Sequence, residues 1–245
     1  SNIKIPGNTI ARFQTMEYIR AFMAGRVGWA YINCLLIISG AFGLFNKKRI
    51  IEIGGYLTSS GKFGKVTVGE DMELVVRLAK HMKESKIPAK IQYAFNANCW
   101  TEVPESYNIL YKQRDRWHRG LIDILTFHKK LIFNPKYQNT GLVALPYFFL
   151  FEMVGPLFEI MGYFMVVIAI FLGLVNTSLA LLLFSATILM GVFVSLSSLL
   201  IAEKEVNYFS RKDFFVLLFY SLIENFGFRQ VMSFIRVIGY INSLR

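Results

Sequence analysis

Along the first 140 residues, apolar positions recur at two alternating periods. Residues 9–26, TIARFQTMEYIRAFMAGR, place Ile10, Phe13, Met16 or Glu17, and Ile19 or Arg20 at roughly helical spacing. INCLLIISGAFGLF (32–45) is apolar but interrupted by Ser39, Gly40 and Gly43, and it falls short of the ~20 residues a membrane span needs. It is predicted as a buried strand turning at Ser39–Gly40. NKKRIIEIGGY then reads as a short helix stopped by Gly54 and Gly55. LTSSGKFGKVTVG is a glycine-containing loop, in which no GxxxxGK followed by Ser or Thr exists to cradle phosphate. EDMELVVRLAKHMKES is an amphipathic helix with Leu74, Val75, Leu78 and Met82 on one face. Residues 89–102 read as a strand, and Pro104 as the start of a long helix. Alternating strands and helices make this front part α/β.

The rest of the chain follows another pattern. Residues 157–175 and 178–202 are unbroken apolar runs, each long enough to cross a bilayer as a helix. A third stretch, 214–241, carries Glu224, Asn225, Arg229 and Arg236, so it is either a span facing protein or a broken one. Residues 141–156, with Pro146, Glu152 and Pro156, suit a helix lying at the membrane interface. The expected organisation is a domain over 1–140, an interfacial helix over 141–156 and transmembrane helices over 157–245.

Charge sharpens this division. Of 27 Lys and Arg and 16 Asp and Glu, residues 1–140 hold 21 and 10, whereas 141–245 hold 6 of each. All three histidines are also in front. A basic front and an apolar back predict a part at the cytoplasmic face of a membrane followed by a part inside the bilayer. Nucleic acid ranks low as a partner, because the lysines are scattered and no nucleic-acid motif occurs. Cys34 and Cys99 sit in apolar runs without metal-ligand spacing and read as reduced thiols. The opening SNIKIPGNTI has no apolar signal region and no Met, and is expected to be a cut end.

Two short stretches carry candidate chemistry. In YKQRDRWHRG (111–120), Gln113, Arg116 and Trp117 fall at i, i+3 and i+4, one face of a helix. A guanidinium fork binds phosphate in bidentate fashion, and an indole offers a flat platform for the C–H side of a sugar. The same residues equally suit an interfacial helix with a Trp anchor. At a predicted helix start, Glu70 and Asp71 fit a general base beside a second acid. Taken alone they fit helix capping better, with Thr67 and Glu70 at capping-box spacing and Asp71 suited to the first turn.

Taken in order, SGAFGLF, GED, QRDRW and paired apolar helices resemble the membrane-bound family-2 glycosyltransferases, such as the cellulose, chitin, hyaluronan and poly-N-acetylglucosamine synthases. Gln113, Arg116 and Trp117 match the family's QxxRW, and Glu70–Asp71 its acceptor-site acid pair. The resemblance covers nearly the whole chain. It implies the later part of a GT-A catalytic domain followed by transmembrane helices. By it, Asp71 is the catalytic base and Glu70 its neighbour. Gln113 and Arg116 hold the donor diphosphate, with Arg114 beside them in the substrate-binding stretch. Trp117 lies against the acceptor sugar, and Ser39 and Gly40 line the acceptor pocket.

The implied reaction moves a sugar, with inversion, from a nucleotide-diphosphate sugar to a carbohydrate or lipid-linked acceptor at the cytoplasmic membrane face. The family also implies a divalent metal, Mg or Mn, held by a DxD motif, and no DxD occurs here. The expectation is therefore the back part of an enzyme, inactive as an isolated fragment. Its rival is a non-catalytic membrane-anchored remnant or scaffold subunit that keeps only the acceptor half.

Overall fold

A computed structural model describes residues 5–38, 42–58, 66–94, 97, 99, 101–206 and 209–244. The chain divides into two compact units that interleave along the sequence. One comprises Arg26–Glu102, Lys112–Val154 and Ile238–Arg245, the other Ser1–Gly25, Val103–Tyr111 and Gly155–Val237.

In chain order the helices are α1 (Thr9–Ile19), α2 (Val27–Tyr31), α3 (Lys47–Glu52), α4 (Glu70–Glu84), α5 (Tyr107–Phe127), α6 (Leu145–Tyr147), α7 (Gly155–Phe171), α8 (Thr177–Val206), α9 (Arg211–Ile223) and α10 (Phe228–Ser243). Wide turns with i→i+5 bonding occupy Arg20–Arg26, Thr140–Ala144 and Phe148–Val154. The last two flank Pro146, whose ring and missing N–H disrupt the ordinary ladder. α5 starts at Tyr107 and not at Pro104, with the Ser106 hydroxyl accepting from the Ile109 N–H (3.4 Å).

Among the described residues there is no β-strand, which departs from the α/β expectation. Where they are described, the segments read as strands form no ladder beyond a single bridge residue, Phe42. Asn33 takes a left-handed conformation (φ 57°), and the Cys34 N–H closes α2 on the Trp29 carbonyl at 2.7 Å. Cys34, Leu35 and Leu36 are then buried consecutively, with no alternation between two faces. Residues 91–94 do alternate between half-buried and exposed, as a strand would, yet no described neighbour offers the paired N–H and C=O groups that define one. Periodicity reports burial, whereas a strand also requires a partner.

The first unit is organised around α4. Cys34, Leu36, Met72, Val76, Ala79, Ile124, Leu125, Leu131, Tyr137 and Leu145 form one apolar core. Beside it lies a buried ionic network. Arg77 grips Glu73 through Nε (2.8 Å) and Nη2 (2.7 Å), and donates to the carbonyls of Ile53 and Gly55, both at 2.7 Å. These carbonyls belong to the turn that ends α3, where Gly54 and Gly55 take φ of 84° and 69°. His128, just past α5, lies 3.2 Å from Glu73. One glutamate thus ties α4 to the α3 turn and to the end of α5.

In the second unit α1 packs against α8 and α9. Met16, Ile19, Leu199, Ala202 and Leu217 fill one core. Phe13, Leu110, Phe228, Met232 and Ile235 fill another, with Phe13 stacked on Phe228 at 4.5 Å between centroids. Arg20 bonds the buried Glu224 and, at 2.9 Å, Ser195. The stretch 214–241 is broken between α9 and α10, where Gly227 (φ 106°) donates to the Gln230 side chain at 2.8 Å. Among the described residues, two helices are long and apolar enough to cross a membrane, Thr140–Phe171 and Thr177–Glu205.

The ionic network sets two expectations. Arg77→Ala leaves Glu73 buried against half of its partners and should destabilise the protein by about 3–5 kcal/mol in equilibrium denaturant unfolding. Burial pushes the Glu73 carboxyl up, but hydrogen bonds and charge from His128 and Arg77 outweigh it and hold the group below its ordinary value. Its contribution is complete above the ordinary carboxylate range, near ~4.3, and is lost as pH falls through the lowered native value. Glu73→Gln should therefore flatten the acid limb of a stability–pH profile.

Candidate functional site

The start of α4 has no side-chain cap. Gly69 precedes the first turn and has no side chain to offer its free N–H groups. Thr67, at capping-box distance from Glu70, is engaged elsewhere. Its hydroxyl accepts from the Gly69 N–H (3.2 Å) and donates to Asp123 of α5 (3.2 Å). The capping-box reading of Thr67 and Glu70 is thereby replaced by a tie between α4 and α5. Glu70 is exposed, and Asp71 is half-buried with one carboxylate oxygen accepting from the Met72 N–H at 2.8 Å. Burial pushes the Asp71 carboxyl above its ordinary value and the Glu70 charge adds to this, against the Met72 N–H. An acid so tuned is closer to the operating pH of a general base than a free aspartate is.

α5 presents Gln113, Arg116 and Trp117 on one face. Arg116 is exposed and makes no ion pair among the described residues. Gln113 is half-buried, and its Oε1, shielded from solvent, has no hydrogen-bond partner there. Trp117 keeps 42% of its surface exposed, and its ring is backed by the buried Arg114 guanidinium at 4.5 Å. Arg114 thus lies behind the indole, fixing its plane through a cation–π contact. Asp115, on the inner side of α5, accepts from Arg119 (3.0 Å) and from Asn242 of α10 (2.8 Å). Gly239 permits that closeness, because a Cβ there would stand 3.3 Å from the His118 Cβ.

The acid-bearing turn and the α5 face meet through two glycines. A Cβ on Gly120 would lie 2.9 Å from the Gly69 nitrogen and 3.0 Å from its Cα; one on Gly69 would lie 2.8 Å from the Ile124 Cδ1. Gly120 follows Gln113, Arg116 and Trp117 at i+7, i+4 and i+3, so the turn before Glu70 docks on that face, one turn beyond the Arg–Trp pair. Ser39 and Gly40 lie outside the described residues. Glu73, Arg77, His128 and Asp123 support the site without having been singled out from the sequence, and Thr67 supports it in another role than the cap its spacing suggested. Only the i, i+4 spacing of Glu73 and Arg77 hinted at their pairing.

Among the described residues no group of three or more His, Cys, Asp or Glu side chains converges to hold a metal ion. Glu70 and Asp71 supply two carboxylates, one of them engaged with the Met72 N–H. This donor set does not fit a divalent cation, and no step below is routed through one.

A family model described as "Glycosyl transferase family group 2" matches residues 6–201. The poly-beta-1,6-N-acetyl-D-glucosamine synthase of Staphylococcus aureus (strain COL) is 28% identical over 123 residues, 50% of this chain and 27% of the relative. The enzyme of the same name from Staphylococcus epidermidis matches with the same identity and coverage. The match thus spans about a quarter of the length of these curated relatives. No solved structure matches the chain.

The glycine contact is testable by volume alone. Gly120→Ala forces its methyl group onto the Gly69 backbone and should cost about 1–3 kcal/mol, read as a lowered unfolding midpoint. Gly239→Ala, with 3.3 Å to its nearest neighbour, should cost less.

Proposed function

From its membership of glycosyl transferase family group 2, to which this chain belongs, we propose that it supplies the acceptor and diphosphate side of an inverting, membrane-bound glycosyltransferase. The donor is a nucleotide-diphosphate sugar, and the acceptor a hydroxyl of a carbohydrate or lipid-linked glycan. The product is a polysaccharide or glycolipid, in keeping with the poly-N-acetylglucosamine synthases that the chain resembles. The observation that carries this reading is the docking of the Glu70–Asp71 turn, through Gly69 and Gly120, on the helix face bearing Gln113, Arg116 and Trp117.

In this mechanism Asp71 accepts the proton of the acceptor hydroxyl as its oxygen bonds to the anomeric carbon. The bond from that carbon to the diphosphate breaks on the opposite side, and its electron pair leaves with the phosphate oxygen. Configuration at the anomeric carbon is inverted. Arg116 offers the departing diphosphate a planar bidentate donor, and Gln113 adds its amide from one turn earlier. Trp117, held flat by Arg114, stacks on the acceptor ring. Glu70 holds negative charge beside the base and keeps its pKa up. Within a GT-A domain, the irregular segments 32–38 and 89–94 would take their places beside further strands.

The bilayer reading rests on exposure as well as composition. In each of the two long apolar helices only 6% of the apolar stretch is buried within the protein. The core helix of a soluble protein would be mostly covered, so hydrocarbon is the solvent that suits these surfaces. The basic residues of 1–140 favour a cytoplasmic position for the catalytic side.

In membranes carrying the gene's full product, Asp71→Asn should lower sugar transfer by ~10²–10⁴ while leaving nucleotide-diphosphate affinity near normal. Because the Asp71 carboxyl lies above its ordinary value, wild-type transfer should decline on the acid side before a free aspartate would protonate. Arg116→Lys should weaken nucleotide-diphosphate binding, and Trp117→Ala should raise the acceptor KM more than it changes donor affinity. Near-normal turnover of Asp71→Asn would reduce Asp71 to a helix-start residue and favour a scaffold role for the chain.

A further inference from the structure

The link between α5 and the 140–171 helix is a built loop. Leu131 and Tyr137 are buried anchors at its two ends, and the Tyr137 hydroxyl donates to Glu84 at 2.9 Å. Asn134 donates to the Lys130 carbonyl (3.1 Å) and accepts from the Lys136 N–H (3.0 Å). The helix start presses directly on it: a Cβ on Gly141 would stand 2.3 Å from the Asn134 carbonyl oxygen and 2.9 Å from that of Leu131. Phe133 and Gln138 are both held at left-handed φ, 59° and 49°, a conformation that persists in ordinary residues only where the surroundings fix it.

This frame displays Lys129, Lys130 and Phe133. Both lysines are exposed and make no ion pair among the described residues, whereas Lys136 faces Glu84 at 3.7 Å. Phe133 leaves 57% of its surface open and touches Phe149 edge-on, with 6.5 Å between centroids. Helix length sets its depth. About twenty residues at ~1.5 Å each fill the ~30 Å hydrocarbon layer. Counted back from Phe171, these end at the ionisable Glu152. Phe149 and the Phe133 ring beside it then fall in the headgroup layer.

We propose that residues 129–133 form a docking surface for anionic lipid headgroups, with Lys129 and Lys130 on headgroup phosphates and Phe133 inserted at the interface. Two unpaired ammonium groups select anionic over zwitterionic lipid, at roughly five-fold per lysine. An aromatic ring at that depth is the ordinary interfacial anchor. A soluble phosphate ligand would need the lysines but would leave the exposed ring unexplained. The proposal rests on the reading of Thr140–Phe171 as a span.

The test uses Phe133→Trp protein in lipid nanodiscs containing a minority of phosphatidylglycerol in phosphatidylcholine, with fluorescence taken as the difference from the parent. Brominated phosphatidylglycerol should quench the introduced indole as though enriched about five-fold or more over its mole fraction, and brominated phosphatidylcholine less than its mole fraction implies. Lys129→Glu with Lys130→Glu should return both to their mole fractions. Inorganic phosphate added to the discs should leave the preference in place. Equal quenching by the two lipids, no quenching by either, a preference that survives the double substitution, or its removal by inorganic phosphate would each overturn the proposal. Alkaline carbonate extraction separates this from failure of the span itself. Protein that stays with the membrane but shows no lipid preference refutes only the docking surface, whereas released protein refutes the span.

Discussion

At the candidate site the backbone of Gly69 packs directly on that of Gly120, and the site's geometry depends on this contact. Neither position has room for a side chain. The contact sets how near the start of α4 can come to α5, and the Thr67–Asp123 hydrogen bond beside it limits rotation about that point. Farther along α4, Arg77 and Glu73 fasten the helix to the α3 turn and to His128. A helix held at two places presents its first turn as a fixed object, so Asp71 can be half-buried without being moved by its own desolvation cost. Rigidity of this kind is what a base needs if it is to meet an acceptor hydroxyl in the same place at each turnover.

Much of the local structure was legible in the sequence. The Gly54–Gly55 stop after α3 and the shared face of Gln113, Arg116 and Trp117 follow from spacing within a few residues; of the face expected on α4, Leu74, Val75 and Met82 are buried and Leu78 half-buried, while Met72, Val76 and Ala79 enter the main core. The parts that were not legible depend on residues far apart. Thr67 fits a capping box by spacing, but its hydroxyl is engaged by Asp123, 56 positions away. Glu73 and Arg77 could be read as a surface pair until the Ile53 and Gly55 carbonyls close over the guanidinium. Arg114 and Arg116 look equivalent in QRDRW, yet one lies under an indole and the other faces outward. The strand readings show the same limit: alternation at 91–94 states which side is covered, and pairing is a property of a second segment. Families whose matches reach beyond single motifs add the missing long-range information, as the match over residues 6–201 does here.

The apolar unit handles its polar groups by clustering them. Ser195 and Arg20 meet Glu224; Arg229 donates to Asn225 at 3.1 Å beside Gly191; and Ser233 donates to Glu159 at 2.6 Å. Gly191 and Ser195 lie one helical turn apart on α8, so small side chains line the surface where the charged ones gather. In the bilayer setting proposed above, such charge is tolerated because each group finds a partner inside the protein. Glu224 and Asn225 lie at the end of α9 and Arg229 and Ser233 on α10, on either side of the interruption of 214–241.

The pairing of Arg20 with Glu224 also has a consequence in time. The two residues are 204 positions apart. At a synthesis rate of about 5–20 residues per second, Arg20 is made ~10–40 s before the carboxylate that it will bind. Throughout that interval the guanidinium must remain hydrated, so the segment around Arg20 cannot reach its final packing while the chain is still being made. Closure of the unit is deferred until Glu224 has emerged, and the ion pair acts as a latch that only the later stretch of chain can close.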